Sequence, residues 1–176
     1  MTAPPTDVWV DPRLVVAPSA IAGSGLFADA PIAAGEVVMR IGGRLVSPAA
    51  LDDLIAATLV EPTLPYVDTF TIEEDAHLVL PAATTAHFAN HCCDPSLWWV
   101  GSYSFAARRP IDSGEEATLD YATISGAAGF EMACACGSVD CRGVVTSDDW
   151  RLVSLQECFS GHWVPALTAR IAALRR

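Results

Sequence analysis

Three thiols fall within eight residues, at Cys134, Cys136 and Cys141, and Gly137 turns the chain between them. Sulfur at this spacing suits a tetrahedral metal ion, with zinc the default for an all-thiolate shell. Three ligands leave one position to fill. Cys93 is the natural candidate, because Asn90, His91 and Cys92 already crowd polar groups beside it. Such a shell would tie the middle of the chain to its last third. The other readings are a set of free buried cysteines or an interchain disulfide. Cys92 and Cys158 complete the six cysteines.

The 176 residues make one domain's worth of chain. A chain of that size can bury about 70% of its surface, so it needs no disulfide staples. Hydrophobic residues reach 52% and charged residues only 18%, which argues against disorder. Asp52, Asp53, Glu61 and Asp68 interrupt the best apolar runs before they are long enough to span a bilayer. Met1 to Arg13 lacks a basic stretch followed by an apolar one, so no secretory signal is expected, and the chain reads as cytosolic. All ten cations are arginine, and the net charge is −11. A field of that sign repels nucleic acid and anionic membrane and favours a cationic partner. Solubility alone would also account for it.

The residues to position 12 read as an extended arm, because Pro4, Pro5 and Pro12 forbid a helix. Short strands are expected over 14–16, 36–41, 45–46, 66–72 and 77–80, punctuated by Gly35 and the Gly42-Gly43 pair. Ser47-Pro48 opens a helix carrying Leu51, Leu54, Ile55 and Leu59, and Pro62 and Pro65 end it. An aromatic strand is expected over 97–107 and a short strand over 118–121, then loops over 125–143. Ser147-Asp148-Asp149 should cap a helix reaching Phe159, and Pro165 should open another to Arg175, with Leu167, Ile171 and Leu174 on one face. The profile is mostly β with helical additions, an α+β chain.

Four segments carry chemistry. Gly23-Ser24-Gly25-Leu26-Phe27-Ala28 allows close backbone approach to a ligand, or is a simple turn. Phe88-Ala89-Asn90-His91-Cys92-Cys93-Asp94-Pro95 packs polar groups that are costly to bury without partners. Gly114-Glu115-Glu116-Ala117-Thr118-Leu119-Asp120-Tyr121 delivers a tyrosine at a strand end. Cys134-x-Cys136-x4-Cys141-Arg142-Gly143 is the thiol cluster.

In this order, over about residues 13 to 145, the four segments resemble the SET-domain family of S-adenosylmethionine-dependent lysine methyltransferases. The first, with Pro31-Ile32-Ala33-Ala34-Gly35-Glu36 after it, is similar to the family's opening signature. The second resembles its Asn-His-Ser-Cys-x-Pro motif, the third its Gly-Glu-Glu-Leu-x-x-Asp-Tyr motif, and the fourth its zinc-binding post-SET tail. The end of the chain is similar to an extension of short bacterial members. The resemblance implies a β-clip fold of several small sheets, with a pseudoknot where the stretch around Asn90 meets the one ending at Tyr121, and helices at the C-terminus. It implies an arm over 1–12, a SET domain over 13–125, a post-SET segment over 126–145 and a helical extension over 146–176.

The resemblance also implies roles. Gly23, Ser24, Gly25, Leu26, Asn90, His91 and Tyr121 would hold S-adenosylmethionine. Tyr121 would be the catalytic tyrosine, and Phe70 and Leu119 would line the substrate channel. Cys93, Cys134, Cys136 and Cys141 would hold a structural zinc ion. A basic protein or peptide offering a lysine is the expected partner, with no nucleic acid and no membrane. A non-protein amine acceptor, a cofactor- or peptide-binding pseudoenzyme and a thiol redox sensor are the alternatives. His87 stands where the family commonly has arginine, Ile41 and Leu119 where it often has aromatics, Cys92 where it has serine and Ser96 where it has asparagine. With Leu119 in place of a bulky ring, the product is expected not to stop at monomethylation. If acceptors are lysines, this lysine-free chain cannot methylate its own side chains. Glu73-Glu74-Asp75, with Asp68, is expected near the acceptor groove to steer a basic peptide, or else forms a solvated loop.

Overall fold

A computed structural model describes residues 3–61 and 67–176. The expected strand start at Tyr66 and helix stop at Pro62 and Pro65 lie outside the described residues. Among the described residues, twelve strands run in chain order. They are β1 (Trp9–Val10), β2 (Leu14–Pro18), β3 (Ser24–Ala28), β4 (Val37–Arg40), β5 (Arg44–Val46), β6 (Thr69–Glu73), β7 (Ala76–Val79), β8 (Leu97–Val100), β9 (Ser104–Ala107), β10 (Glu116–Ala117), β11 (Glu131–Ala133) and β12 (Val144–Thr146). Three α-helices join them: α1 (Pro48–Val60), α2 (Val153–Cys158) and α3 (Pro165–Leu174).

The strands form four small antiparallel sheets, ordered β1-β4-β9-β8, β10-β3-β2, β5-β7-β6 and β11-β12. This is the mixed, mostly β architecture the sequence implied. Phe105 is the centre of the core, with its ring 5.4 Å from Trp99 and 5.8 Å from Phe70, and it is fully buried. The helix α3 joins this core through Leu167 and Ile171, whereas Leu174 is exposed.

Several expectations are corrected. The aromatic stretch 97–107 is not one strand but the hairpin β8–β9, because Gly101 takes a φ of 60° and turns the chain. The helix α1 is capped as expected, Ser47 Oγ accepting the Ala50 N–H at 3.3 Å. Its apolar stripe is only half used: Leu51 is buried, but Leu59 is 80% exposed. The loop-like stretch 125–143 contains β11, which pairs with β12 and makes the thiol segment the end of a hairpin. The helix expected from Ser147 begins only at Val153, after a 3-10 turn over Asp149–Arg151. The Asp149 carboxylate cannot cap it, being taken by Thr146 Oγ1 at 2.7 Å and by Arg142.

The two segments expected to meet do meet. His91 and Leu119 form a parallel bridge, with Cys92 N–H donating to Leu119 O and Leu119 N–H donating to Asn90 O, each at 2.9 Å. That crossing places the Asn90–Cys93 stretch against the approach to Tyr121.

Candidate active site and metal centre

Tyr121 does not end a strand. The strand β10 stops at Ala117, and Tyr121 opens a 3-10 turn over Tyr121–Thr123. Asp120 sets this turn, its Oδ1 accepting the Ala122 N–H at 3.0 Å and its carbonyl accepting the Thr123 hydroxyl at 2.7 Å. An Asp before such a turn competes for local N–H groups, which is why the strand breaks there. Tyr121 is then fixed at both ends. Its N–H donates to His91 Nδ1 at 3.1 Å, and its hydroxyl donates to Ala89 O at 3.0 Å. The two rings lie 5.3 Å apart.

One side of Tyr121 faces a cavity of about 400 Å³ lined by Asp52, Asp68, Thr69, His87 and Phe130 among others. Within it His87 Nδ1 and Asp68 Oδ2 are 3.3 Å apart, and that carboxylate holds the imidazole's pKa above its ordinary value. Neither Phe70 nor Leu119 is among the residues lining this cavity. The Phe70 ring is in the aromatic core, and Leu119 is buried at the crossing with His91. Glu74 is also elsewhere, paired with Arg170 of α3 at 2.8 Å.

The Gly23–Leu26 stretch forms the turn into β3 and the start of that strand, with Gly23 at φ 49°. The Asn90 amide nitrogen ties it down, lying 3.2 Å from Ala22 O, 3.1 Å from Ser24 O and 2.8 Å from Glu116 Oε1. Glu116 in turn accepts the Ser19 hydroxyl at 2.8 Å. A Cβ at Gly25 would collide with the Glu116 carboxylate and stand 3.2 Å from the Asn90 amide. A side chain here would have to push the Glu116 carboxylate off its bonds to Asn90 and Ser19. Leu26 is fully buried, paired in register with Val16 on one side and Ala117 on the other.

The four sulfurs of Cys93, Cys134, Cys136 and Cys141 lie within 4.8 Å of one another. Cys134 Sγ is 3.8 Å from Cys93 Sγ and 3.6 Å from Cys141 Sγ. A zinc–sulfur bond of about 2.3 Å sets tetrahedron edges of about 3.8 Å, so the donor set fits the ion. Backbone and side-chain N–H groups also point at these sulfurs. Arg142 N–H donates to Cys93 Sγ at 3.3 Å, and His91 Nε2 lies 3.4 Å from it. Burial pushes the Cys93 and Cys134 thiols up. Burial also opposes ionisation of Cys136, but the Cys93 N–H and the Ser138 hydroxyl outweigh it and bring that thiol to about 5. Cys92, outside the group, is pushed up to about 11 by burial.

Three groups here had no role assigned from the sequence: Glu116, Asp120 and Arg142. The Arg142 guanidinium grips Asp120 with two 2.7 Å hydrogen bonds, Nη1 to Oδ2 and Nη2 to Oδ1. Its Nε meets Asp149 Oδ2 at 2.9 Å as an ion pair, although the N–H is not aimed well enough for a hydrogen bond. Glu116 and Asp120 lie inside the motif whose tyrosine carries the expected chemistry. Arg142 followed the last cysteine of another.

The arrangement sets Tyr121 against a partly acidic cavity and gathers four sulfurs at a spacing that could hold a metal ion. A family model described as the SET domain matches residues 23–122. The chain is 31% identical over 147 residues to the histone H3-lysine(4) N-trimethyltransferase ATX1 of Arabidopsis thaliana, covering 78% of this chain and 14% of that protein. It is 32% identical over 143 residues to the histone-lysine N-methyltransferase TRX1 of Oryza sativa subsp. japonica, covering 76% and 14%. It is 27% identical over 143 residues to the histone-lysine N-methyltransferase ash1 of Drosophila melanogaster, covering 76% and 6%. The chain thus spans a small fraction of these relatives' lengths. With the family model matching more than half of its residues, and those residues building the crossing that seats Tyr121, the chain belongs to the SET-domain family.

Proposed function

We propose that the chain is an S-adenosylmethionine-dependent methyltransferase acting on lysine side chains of a basic protein, histone-like in charge. The observation that carries this is the position of Tyr121. Its N–H is anchored to His91, beside the Asn90-bound glycine turn, and its ring opens on the cavity that holds Asp52 and Asp68. Gly23, Ser24, Gly25, Asn90 and His91 would hold the cofactor, with Leu26 packed behind them. When bound, the cofactor supplies a methyl group activated on a sulfonium.

The rest is the protein's task. The acceptor must arrive as a neutral amine, and deprotonating a lysine of pKa about 10.4 at pH 7 costs about 4.6 kcal/mol. Enclosure in the cavity beside Phe130 and Ile124 favours proton loss by removing water. Asp52 and Asp68 draw the cationic chain toward the entrance, in keeping with the net charge of −11. The Tyr121 hydroxyl donates to Ala89 O, and a phenol oxygen so engaged can still accept an amine N–H, which aims the nitrogen lone pair. Tyr121 therefore orients, and no strong base is needed. Zinc held by Cys93, Cys134, Cys136 and Cys141 would be structural, since four protein ligands leave no open coordination position.

Labelled S-adenosylmethionine offered with histone-like basic protein and with the small-molecule fraction of a lysate tests the reading. Label in lysine of the protein supports it, and label confined to small molecules overturns it. Tyr121→Phe should lower kcat about 100-fold with little change in cofactor affinity.

A further inference from the structure

We infer that Arg142 is a positioning residue that makes the placement of Tyr121 depend on metal in the four-sulfur cluster. The inference rests on the proposed function only for the part that concerns turnover.

Arg142 is joined to both sites by single residues. It follows Cys141 directly, and its own N–H donates to Cys93 Sγ at 3.3 Å, so its backbone is part of the cluster's wall. Its side chain leaves in the other direction and forks onto Asp120, the residue before Tyr121. The Asp120 side chain is completely shielded from solvent and that of Arg142 is 14% exposed. Asp120 does two further jobs at once. It caps the 3-10 turn through the Ala122 N–H, and its Oδ1 stands 3.7 Å from the His91 Nδ1 that receives the Tyr121 N–H. The same guanidinium reaches Asp149 at the start of the C-terminal extension.

One cation thus neutralises two inward-facing carboxylates from separate segments. Without it the Asp120 charge is buried and unpaired, a state proteins relieve by local rearrangement or by admitting water. The first structure to yield is the short turn that Asp120 caps, and Tyr121 is its first residue. Four thiolates drawn to one ion pin the backbone at Cys141 and Cys93. When the ion leaves, nothing holds the four sulfurs to one point, so the wall that includes the Arg142 backbone loosens and the fork loses its aim. A lysine could supply charge but not the planar two-bond grip.

The test is amide hydrogen exchange at Tyr121, Ala122, Thr123 and Ile124, compared between the zinc-loaded chain and the chain stripped by a chelator. In wild type, stripping should speed exchange of these amides at least about tenfold. Arg142→Met should reach the same fast exchange while still holding one zinc per chain, and stripping it should add less than about threefold. Arg142→Lys should fall between. If Arg142→Met does not fold, Arg142→Lys, which keeps the charge without the fork, carries the test: in the zinc-loaded chain these amides should exchange faster than in wild type and respond less to stripping. Slow exchange in zinc-loaded Arg142→Met, or an equal response to stripping in variant and wild type, overturns the inference.

Turnover gives the second readout. Arg142→Met should lower kcat at least about tenfold and leave the KM for cofactor within about twofold. Loss of cofactor binding with unchanged exchange overturns a positioning role. If wild type transfers no methyl group while the exchange coupling holds, the functional reading falls and the coupling stands.

Discussion

His91 accepts the backbone N–H of Tyr121 on Nδ1 at 3.1 Å, so its own proton sits on Nε2, which faces the Cys93 sulfur 3.4 Å away. One imidazole therefore links the catalytic candidate to the metal candidate. Burial holds its pKa below the ordinary 6.5. The folded state then binds fewer protons here than the unfolded state, and stability from this group falls as pH drops from 6.5 through the lowered folded value. Nitrogen NMR at pH 6.5 should find a neutral ring protonated on Nε2. A charged ring at that pH would contradict the assignment.

His87, four residues earlier, behaves with the opposite sign. Asp68 holds its pKa up, so its contribution is complete below 6.5 and is lost as pH rises through the raised folded value. An NMR titration should place His87 above 6.5, and Asp68→Asn should bring it down. No change in the variant would show that the pair does not interact in solution.

Gly25→Ala should destabilise the fold by about 1–3 kcal/mol, because the new methyl meets the Glu116 carboxylate and the Asn90 amide. Shortening the obstacle with Glu116→Ser should recover part of that loss. Urea unfolding of the single and double variants measures it. An additive penalty would mean that strand backbone, not Glu116, is the barrier.

Leu167 is fully buried in α3 against the main core. Leu167→Ala should cost about 2–5 kcal/mol in one cooperative urea transition. A separate early transition would instead mark the C-terminal helices as an independent unit.

Cys141→Ser should abolish stoichiometric zinc, measured by metal analysis of the purified chain. Cys158→Ser should not, because that thiol is exposed and outside the group. Zinc loss from Cys158→Ser would call for a different ligand set.

The sequence disclosed what repeats or sits close together. Ser47-Pro48 marked α1, the Gly42-Gly43 pair separated β4 from β5, and three crowded thiols marked the cluster. It disclosed less where tertiary partners decide. Asp149 looked like a helix cap, but a guanidinium met only in the folded chain takes its carboxylate. Asp120 and Tyr121 read as strand because β-propensity counts the ring and not the competing cap. The 97–107 stretch hid its turn because one glycine amid aromatics looks like a packing choice. Arg142 was out of reach for the same reason as Asp149: no local period announces a contact 22 positions away.

The crossing of His91 with Leu119 also has a consequence for biosynthesis. During translation β2 and β3 can zip as soon as they leave the ribosome, yet the stretch at Asn90 must wait for its partner and Asp120 must wait for Arg142. A nascent chain halted before that arginine would expose a half-built pocket and an unmatched carboxylate, which makes the synthesis of residues 121 to 142 the stretch in which a chaperone has most to shield.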